Sequence, residues 1–129
     1  MRGALGTLRM TTPIAKNPTR VFPWLFEDLA RQYGPREALV CERERFTYAE
    51  LDARANRYAR WALAEGLKKG DVVCLLMPNR PEYVAIWLGV TRVGGIVALL
   101  NTNLVGASLA HCISIVEPKH VIVDGELLA

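Results

Sequence analysis

The sequence predicts an α/β fold built around a parallel β-α-β-α-β sheet, preceded by a helix and a small β-hairpin. Two uninterrupted apolar runs, Val72–Met77 and Ile96–Leu100, are typical of strands that are buried on both faces. Between them, Pro81 suits the first turn of a helix, and Gly94–Gly95 suits its end. Two buried strands joined by one helix form a right-handed parallel unit, and a third apolar run over 120–124 extends it.

The residues before this unit favour a helix and then a hairpin. Apolar residues share one face over about 22–33, and Gly34–Pro35 ends that helix. Two short strand patterns follow, at Ala38–Cys41 and at Arg45–Thr47. Because only Glu42–Glu44 separates them, we expect the two strands to form a small hairpin.

Thr47 is predicted to begin the second helix, which runs over about 48–65. Thr47 and Glu50 have the spacing of a capping box, and Gly66 provides the stop. Glu50 and Arg54 are expected to form an i,i+4 pair on the solvent side. The opposite side is predicted to face the core through Leu51, Ala55, Tyr58, Ala59, Ala62 and Leu63.

The two later helices have weaker start signals. The helix over 81–93 is apolar on nearly all sides, which indicates burial on several sides. Its N-cap is Asn79 or Arg80, since Asn79 and Glu82 have capping-box spacing. Ser108 is expected to cap a last helix over 108–116, before Pro118 and the strand at 120–124.

Composition limits the class of protein. With 51% hydrophobic and 22% charged residues, the chain is typical of a globular domain, and no apolar run approaches the roughly 18–20 residues of a membrane span. The net charge of +3 is too small to indicate a nucleic-acid partner. Cys41, Cys74 and Cys112 lie far apart in apolar contexts, which predicts buried, reduced thiols without metal in a cytoplasmic protein.

Residues 1–17 are interpreted as a flexible tail, and residues 18–129 as part of one domain. The tail carries Arg2, Arg9 and Lys16, and no acid precedes Glu27. A transit peptide or a contact with a membrane surface is the alternative interpretation.

Several motifs that suggest chemistry have a better structural interpretation. His111 and Cys112 are helix neighbours pointing about 100° apart, so they do not form a catalytic pair. Gly94–Gly95 follows a helix, whereas a dinucleotide fingerprint precedes one. Gly66–Asp71 lacks the G-K-[ST] of a phosphate loop and is expected to be a turn.

Two further groups of residues have a structural and a functional alternative. Asn101–Asn103 follows a parallel strand, where open sheets bind ligands, but turn hydrogen bonds are the commoner use of these residues. Trp24, Trp61 and Trp87 are expected to pack in the core, and His120 to be structural. We therefore assign no residue a catalytic, cofactor-binding or metal-binding role.

An ordered set of short segments nevertheless resembles one enzyme family. The segments are Phe46–Leu51, Gly66–Val73, Met77–Glu82 and Gly94–Gly95, and together they resemble the start of AMP-forming acyl-CoA synthetases. Within this adenylate-forming superfamily, Ala98–Leu104 and Ser108–Ile113 resemble the fatty acid transport protein branch, the very-long-chain acyl-CoA synthetases. The resemblance covers about residues 18–126.

The resemblance implies that the chain is an incomplete N-terminal portion of a larger synthetase domain. Such enzymes convert a fatty acid, ATP and coenzyme A to acyl-CoA, AMP and pyrophosphate, with magnesium. The family's Ser/Thr/Gly-rich phosphate loop and its adenylation lysine do not occur in this sequence. We therefore expect a chain that is inactive alone, self-associates and lies in the cytoplasm or peripherally at a membrane. A stand-alone, non-catalytic α/β binding module is the alternative.

Overall fold

A computed structural model describes residues 21–42 and 44–128, and it has the predicted α/β architecture. The predicted tail over 1–17 lies outside the described residues. The helices are α1 (Phe22–Tyr33), α2 (Tyr48–Ala64), α3 (Pro81–Arg92) and α4 (Gly106–Ser114). The strands are β1 (Glu37–Val40), β2 (Arg45–Thr47), β3 (Val72–Leu76), β4 (Ile96–Leu99) and β5 (His120–Val123), followed by a short 3₁₀ turn at Gly125–Leu127.

The predicted sheet is confirmed. Strands β1 and β2 form an antiparallel hairpin, and the other three strands form a parallel sheet in the order β4-β3-β5. In that sheet Val73 lies between Val97 and His120, and Leu75 lies between Leu99 and Ile122. Because paired residues of parallel strands point to the same face, these side chains share the face that α2 and α3 cover.

Two apolar clusters hold the helices to the sheet and to each other. The first joins α2, β3 and α3 through Ala62, Leu67, Val73, Leu75, Met77, Ile86 and Val90. The second joins α1, α2 and α3 through Phe26, Leu51, Ala55, Ala85 and Leu88. Between α2 and α3 the backbones approach closely at Gly89, where a Cβ would lie 2.5 Å from the Ala55 carbonyl oxygen.

The start of α2 and the end of α3 agree with the sequence. The Thr47 hydroxyl accepts the Glu50 N–H at 3.2 Å, and the Thr47 N–H donates to the Glu50 carboxylate at 2.8 Å, which completes the predicted capping box. Gly94 ends α3 with φ of +85°, a conformation that favours glycine. None of the residues from 81 to 93 is exposed, as predicted for this helix.

Three local predictions are wrong. The capping box predicted for Asn79 and Glu82 does not form, because Glu82 contacts Tyr58 and Arg54; the N-cap of α3 is Arg80, one of the two predicted alternatives. Arg54 pairs with Glu82 and not with Glu50, so the predicted i,i+4 pair between Glu50 and Arg54 does not form. Helix α4 begins two residues before Ser108, with Val105 as its N-cap.

Burial differs from the prediction where an element lies at an edge. Ile96 and Leu99 are 53% and 51% exposed, since β4 is an edge strand and not a strand buried on both faces. Leu63 and Trp24 are likewise exposed, on the outer sides of α2 and α1. Among the cysteines only Cys74 is fully buried, and burial raises the pKa of its thiol. Cys41 and Cys112 are half-buried free thiols.

Candidate functional site

The carboxyl edge of the parallel sheet gathers three loops. Pro78–Arg80 follows β3, Leu100–Asn103 follows β4 and Asp124–Glu126 follows β5. Because the three strands are parallel, these loops meet at one edge of the sheet. Open α/β sheets bind ligands outside this edge, where the direction of the strand order reverses. In the order β4-β3-β5 the reversal lies beside β3, so this edge is the candidate site.

An ion pair joins the ends of β3 and β5. The Arg80 guanidinium contacts the Asp124 carboxylate through Nη2 and Oδ2. The Asp124 side chain is only 2% exposed, whereas that of Arg80 is 32% exposed. The other carboxylate oxygen, Oδ1, accepts the Glu126 N–H at 3.0 Å. Arg80 therefore compensates a buried negative charge, and its remaining surface lines the neighbouring clefts.

Beside this ion pair lies a cleft of ≈ 530 Å³ between the hairpin, α2 and the start of α3. It is lined by Glu44, Arg45, Phe46, Arg54, Arg80 and Glu82. Arg45 pairs with Glu37 at 2.9 Å, and Arg54 pairs with Glu82 at 3.4 Å. With Arg80 paired to Asp124, each guanidinium of the cleft has a carboxylate partner.

Tyr58 completes the group around Glu82. Its hydroxyl donates to the Glu82 carboxylate, which also contacts Arg54. Burial, and then this hydrogen bond to a carboxylate, raise the pKa of Tyr58 to about 12. The phenol is therefore a neutral hydrogen-bond donor at physiological pH, and its role here is to fix Glu82 between α2 and α3.

A second cleft of ≈ 330 Å³ lies between the ends of β3 and β4. Its lining has no charged side chain and consists of Met77, Pro78, Asn79, Tyr83, Leu100, Asn101, Thr102 and Asn103. The Asn101 Oδ1 accepts the Asn103 N–H at 2.9 Å, which is the turn hydrogen bond anticipated for this segment. Asn101 thus has a structural role, while Asn79 and Thr102 are exposed at the rim.

The other residues considered from the sequence lie apart from this edge. His111 is exposed and Cys112 half-buried on α4, and His120 packs edge-on against Trp61 with ring centroids 5.5 Å apart. The Gly66–Asp71 turn is closed by the Lys68 N–H donating to the Asp71 carboxylate at 2.8 Å. Lys119 also contacts this carboxylate, at 3.1 Å, and both partners lower the pKa of Asp71.

Sequence reasoning missed the two long-range ion pairs of the edge. Arg80 and Asp124 are separated by 44 positions, and Arg54 and Glu82 by 28, so no local spacing indicates either pair. The available signal was an arginine and an aspartate in the loops after two apolar strands, with Arg80 four positions beyond Leu76 and Asp124 directly after Val123. Such positions meet whenever the two strands are parallel neighbours.

The described residues do not fit a nucleotide phosphate chain or its metal. Each guanidinium beside the larger cleft already pairs with a carboxylate, so a phosphate there would have to displace that carboxylate or approach its negative charge. Over 21–42 and 44–128, no three His, Cys, Asp or Glu residues are placed together to hold a metal ion. We therefore derive no reaction step through these groups.

The chain matches the AMP-binding enzyme family over residues 26–129 and belongs to that family. Over 96 residues it is 47% identical to the long-chain fatty acid transport protein 6 of Mus musculus. This alignment covers 73% of this chain and 16% of that protein. Over 105 residues it is 34% identical to the medium/long-chain-fatty-acid–CoA ligase FadD6 of Mycobacterium tuberculosis. That alignment covers 81% of this chain and 18% of the ligase. The chain therefore spans less than a fifth of the length of these relatives.

Solved structures agree with the sequence matches. The N-terminal domain of FACL13 from Mycobacterium tuberculosis superposes with a TM-score of 0.78 and 30% identity, covering 84% of this chain and 29% of that domain. A fatty acyl CoA synthetase of the same organism gives a TM-score of 0.75 and 31% identity, covering 82% and 22%. These matches confirm the resemblance to the N-terminal part of fatty acyl-CoA synthetases.

No helix within the described part of the chain is long and apolar enough to cross a bilayer.

Proposed function

We propose that this chain supplies the scaffold of the N-terminal domain in a long-chain fatty-acyl-CoA synthetase, and that the reacting groups come from other parts of such an enzyme. The family match over 26–129 carries this proposal. The parent reaction joins a fatty acid to coenzyme A with ATP and magnesium. The paired arginines support a scaffold role, because transferring a phosphate requires cationic and amide donors aimed at the developing charge.

The proposal is tested in a chimera. The segment of the Mycobacterium tuberculosis fatty acyl CoA synthetase that superposes on this chain is replaced by residues 21–128, and acyl-CoA formation is measured with a long-chain fatty acid. We expect activity within about 10-fold of the host, which corresponds to about 1.4 kcal/mol in the activation free energy. A folded chimera without activity would contradict a scaffold that is interchangeable between relatives.

Two variants of the chimera serve as matched controls. Arg31→Ala removes only two exposed ion pairs on α1, with Glu27 and Asp28, and should leave activity unchanged. Gly89→Leu should abolish folding and activity together, since a side chain at Gly89 would overlap the α2 backbone. The isolated chain should give no pyrophosphate exchange with ATP, magnesium and fatty acid. Exchange that Arg80→Ala abolishes would reveal an active site within this chain.

The isolated chain is further proposed to self-associate and to act in the cytoplasm, peripherally at a membrane. Exposed Ile96, Leu99 and Val121 at the sheet edges support self-association. Trp24, which is 62% exposed, and the basic N-terminal sequence support contact with a membrane surface. Light scattering at increasing concentration tests the first proposal, and sedimentation with anionic vesicles tests the second. A chain that stays monomeric at every concentration would refute self-association. A vesicle pellet free of the protein would refute contact with a membrane surface.

A further inference from the structure

Two adjoining clefts lie between the end of β1 and the start of α3, and both are lined by Cys41, Asn79 and Arg80. The first, here called the apolar groove, has a volume of ≈ 330 Å³ and is otherwise lined by Leu39, Val40, Pro81, Tyr83 and Val84. The second, the acidic cleft, also has a volume of ≈ 330 Å³ and is otherwise lined by Glu42, Glu44, Pro78 and Glu126. An occupant that crosses both clefts therefore meets an apolar surface beside a negatively charged one.

The carboxylates of the acidic cleft have no counter-charge within the described part of the chain. Glu42, Glu44 and Glu126 form no ion pair there, and the Oε2 atom of Glu44 is buried without a hydrogen-bond partner. Arg80, the guanidinium that lines this cleft, is already paired with Asp124. Because an unpaired buried carboxylate oxygen costs free energy, a cationic occupant would stabilise the cleft.

The cation that fits the acidic cleft is an ammonium or guanidinium group. Over 21–42 and 44–128, the carboxylates are not grouped so as to hold a metal ion. A side-chain cation needs no such ligand cage, because it donates hydrogen bonds to one or two carboxylates at a time. The adjoining apolar groove indicates that the same occupant also carries apolar side chains.

The first twenty residues of this chain have the complementary chemistry. They contain no acid and four cations, Arg2, Arg9, Lys16 and Arg20. Between these cations lie the apolar residues Leu5, Leu8, Met10 and Ile14. The segment precedes the family match, which begins at residue 26, so the fold shared with the relatives does not account for it.

The start of α1 brings this segment close to the apolar groove. The Phe22 ring stacks on Trp87 of α3, with ring centroids 5.5 Å apart. Tyr83 and Val84, which line the groove, lie about one turn before Trp87 on the same side of α3. The chain before residue 21 therefore begins near the groove. Twenty extended residues span up to about 66 Å, which is more than enough to cross both clefts.

We propose that residues 1–20 dock across the apolar groove and the acidic cleft of their own chain. Their apolar side chains occupy the groove and cover Val40, which is 53% exposed. Their cations lie beside Glu42, Glu44 and Glu126. The inference goes beyond the proposed function and does not depend on it. The docked segment uses the cations that would contact an anionic membrane, so the two states exclude each other.

Alkylation of Cys41 in the full chain tests the proposal. Cys41 is a half-buried free thiol that lines both clefts, and Cys112, half-buried on α4, is the internal control. The reagent is iodoacetamide, which is uncharged, and mass spectrometry follows both thiols in the absence of lipid. The test variant carries Arg2→Gln, Arg9→Gln, Lys16→Gln and Arg20→Gln.

The test variant should alkylate Cys41 about 10-fold faster than the unaltered chain, as expected for a segment that is docked about 90% of the time. The rate at Cys112 should not change. A matched control removes four cations that are exposed elsewhere on the chain, through Arg31→Gln, Arg57→Gln, Arg60→Gln and Lys68→Gln. This control should change neither rate.

A double-mutant cycle assigns the effect to the acidic cleft. In a chain carrying Glu42→Gln, Glu44→Gln and Glu126→Gln, the four N-terminal substitutions should change the Cys41 rate much less than in the unaltered cleft. The comparison cancels any direct effect of the three carboxylates on the thiol, because they are absent from both chains.

Three results would overturn the proposal. The first is an unchanged Cys41 rate in the test variant, or a rise that Cys112 or the matched control shows equally. The second is an N-terminal effect of the same size in the chain without the three carboxylates. The third is protection of Cys41 that increases with protein concentration, which would mean that the segment of a second copy occupies the clefts.

Discussion

Removing the guanidinium of Arg80 should destabilise the chain more than any other loss of a single charge at the sheet edge. Arg80→Ala leaves the Asp124 carboxylate, 2% exposed, with one backbone N–H at 3.0 Å as its remaining partner. Breaking a buried ion pair in this way costs about 3–5 kcal/mol. Arg80 itself is 32% exposed, so water screens part of the interaction, and we expect a loss of about 2–4 kcal/mol.

Urea unfolding followed by circular dichroism measures this loss. For a small domain the free energy of unfolding falls by about 1–3 kcal/mol per molar urea, so the midpoint should move by about 0.7–4 M. The control is Arg31→Ala, which breaks exposed pairs with Glu27 and Asp28 and should cost less than about 1 kcal/mol.

A double variant separates the charge from the packing. Arg80→Ala combined with Asp124→Leu leaves no buried charge and should recover much of the stability lost by Arg80→Ala alone. A cost of Arg80→Ala no larger than that of Arg31→Ala would contradict a stabilising Arg80–Asp124 pair. A double variant as unstable as Arg80→Ala would contradict the role of the buried Asp124 charge.

Three further predictions concern the helices and the core. Thr47→Ala should lower the free energy of unfolding by about 1 kcal/mol. This loss should become smaller as the pH falls through the lowered pKa of Glu50, because a protonated Glu50 no longer strengthens the cap, and urea unfolding at several pH values measures it. Gly89→Ala should be destabilising by about 1–3 kcal/mol despite the higher helix propensity of alanine, because the added Cβ would lie 2.5 Å from α2 atoms, and thermal unfolding measures it. Tyr58 should ionise near pH 12, and stability should fall as the pH rises from 10 to 12, as measured by ultraviolet absorbance and circular dichroism.

Each of these predictions has a result that contradicts it. A pH-independent cost of Thr47→Ala would show that the hydrogen bond between the Thr47 hydroxyl and the Glu50 carboxylate does not stabilise the cap. Stabilisation by Gly89→Ala would mean that α3 can move away from α2 without a loss of packing energy. Gly125→Ala is the control, because a Cβ at Gly125 would meet no other atom within 4 Å. Ionisation of Tyr58 near pH 10 would show that its hydroxyl is solvated.

Local structure could be predicted from the sequence because it depends on neighbouring residues. Helix α1 lies near the predicted 22–33, and the Thr47 capping box and the Gly94 stop occur as predicted. The burial of β3 agrees with the expectation from its unbroken apolar run, which is typical of a strand covered on both faces. The ordered short segments were sufficient to identify the family, which the match over 26–129 confirms.

Edge exposure and the long-range ion pairs depend on residues that are distant in sequence, so no local pattern indicates them. The apolar run of β4 reads like that of β3, yet Ile96 and Leu99 are half exposed because strand order places β4 at an edge. The same order brings Arg80 to Asp124, while the packing of α2 against α3 brings Arg54 to Glu82 in place of Glu50. A hydrophobic pattern specifies that a strand forms and which face is apolar, but the neighbours that cover that face are set by how the whole chain folds.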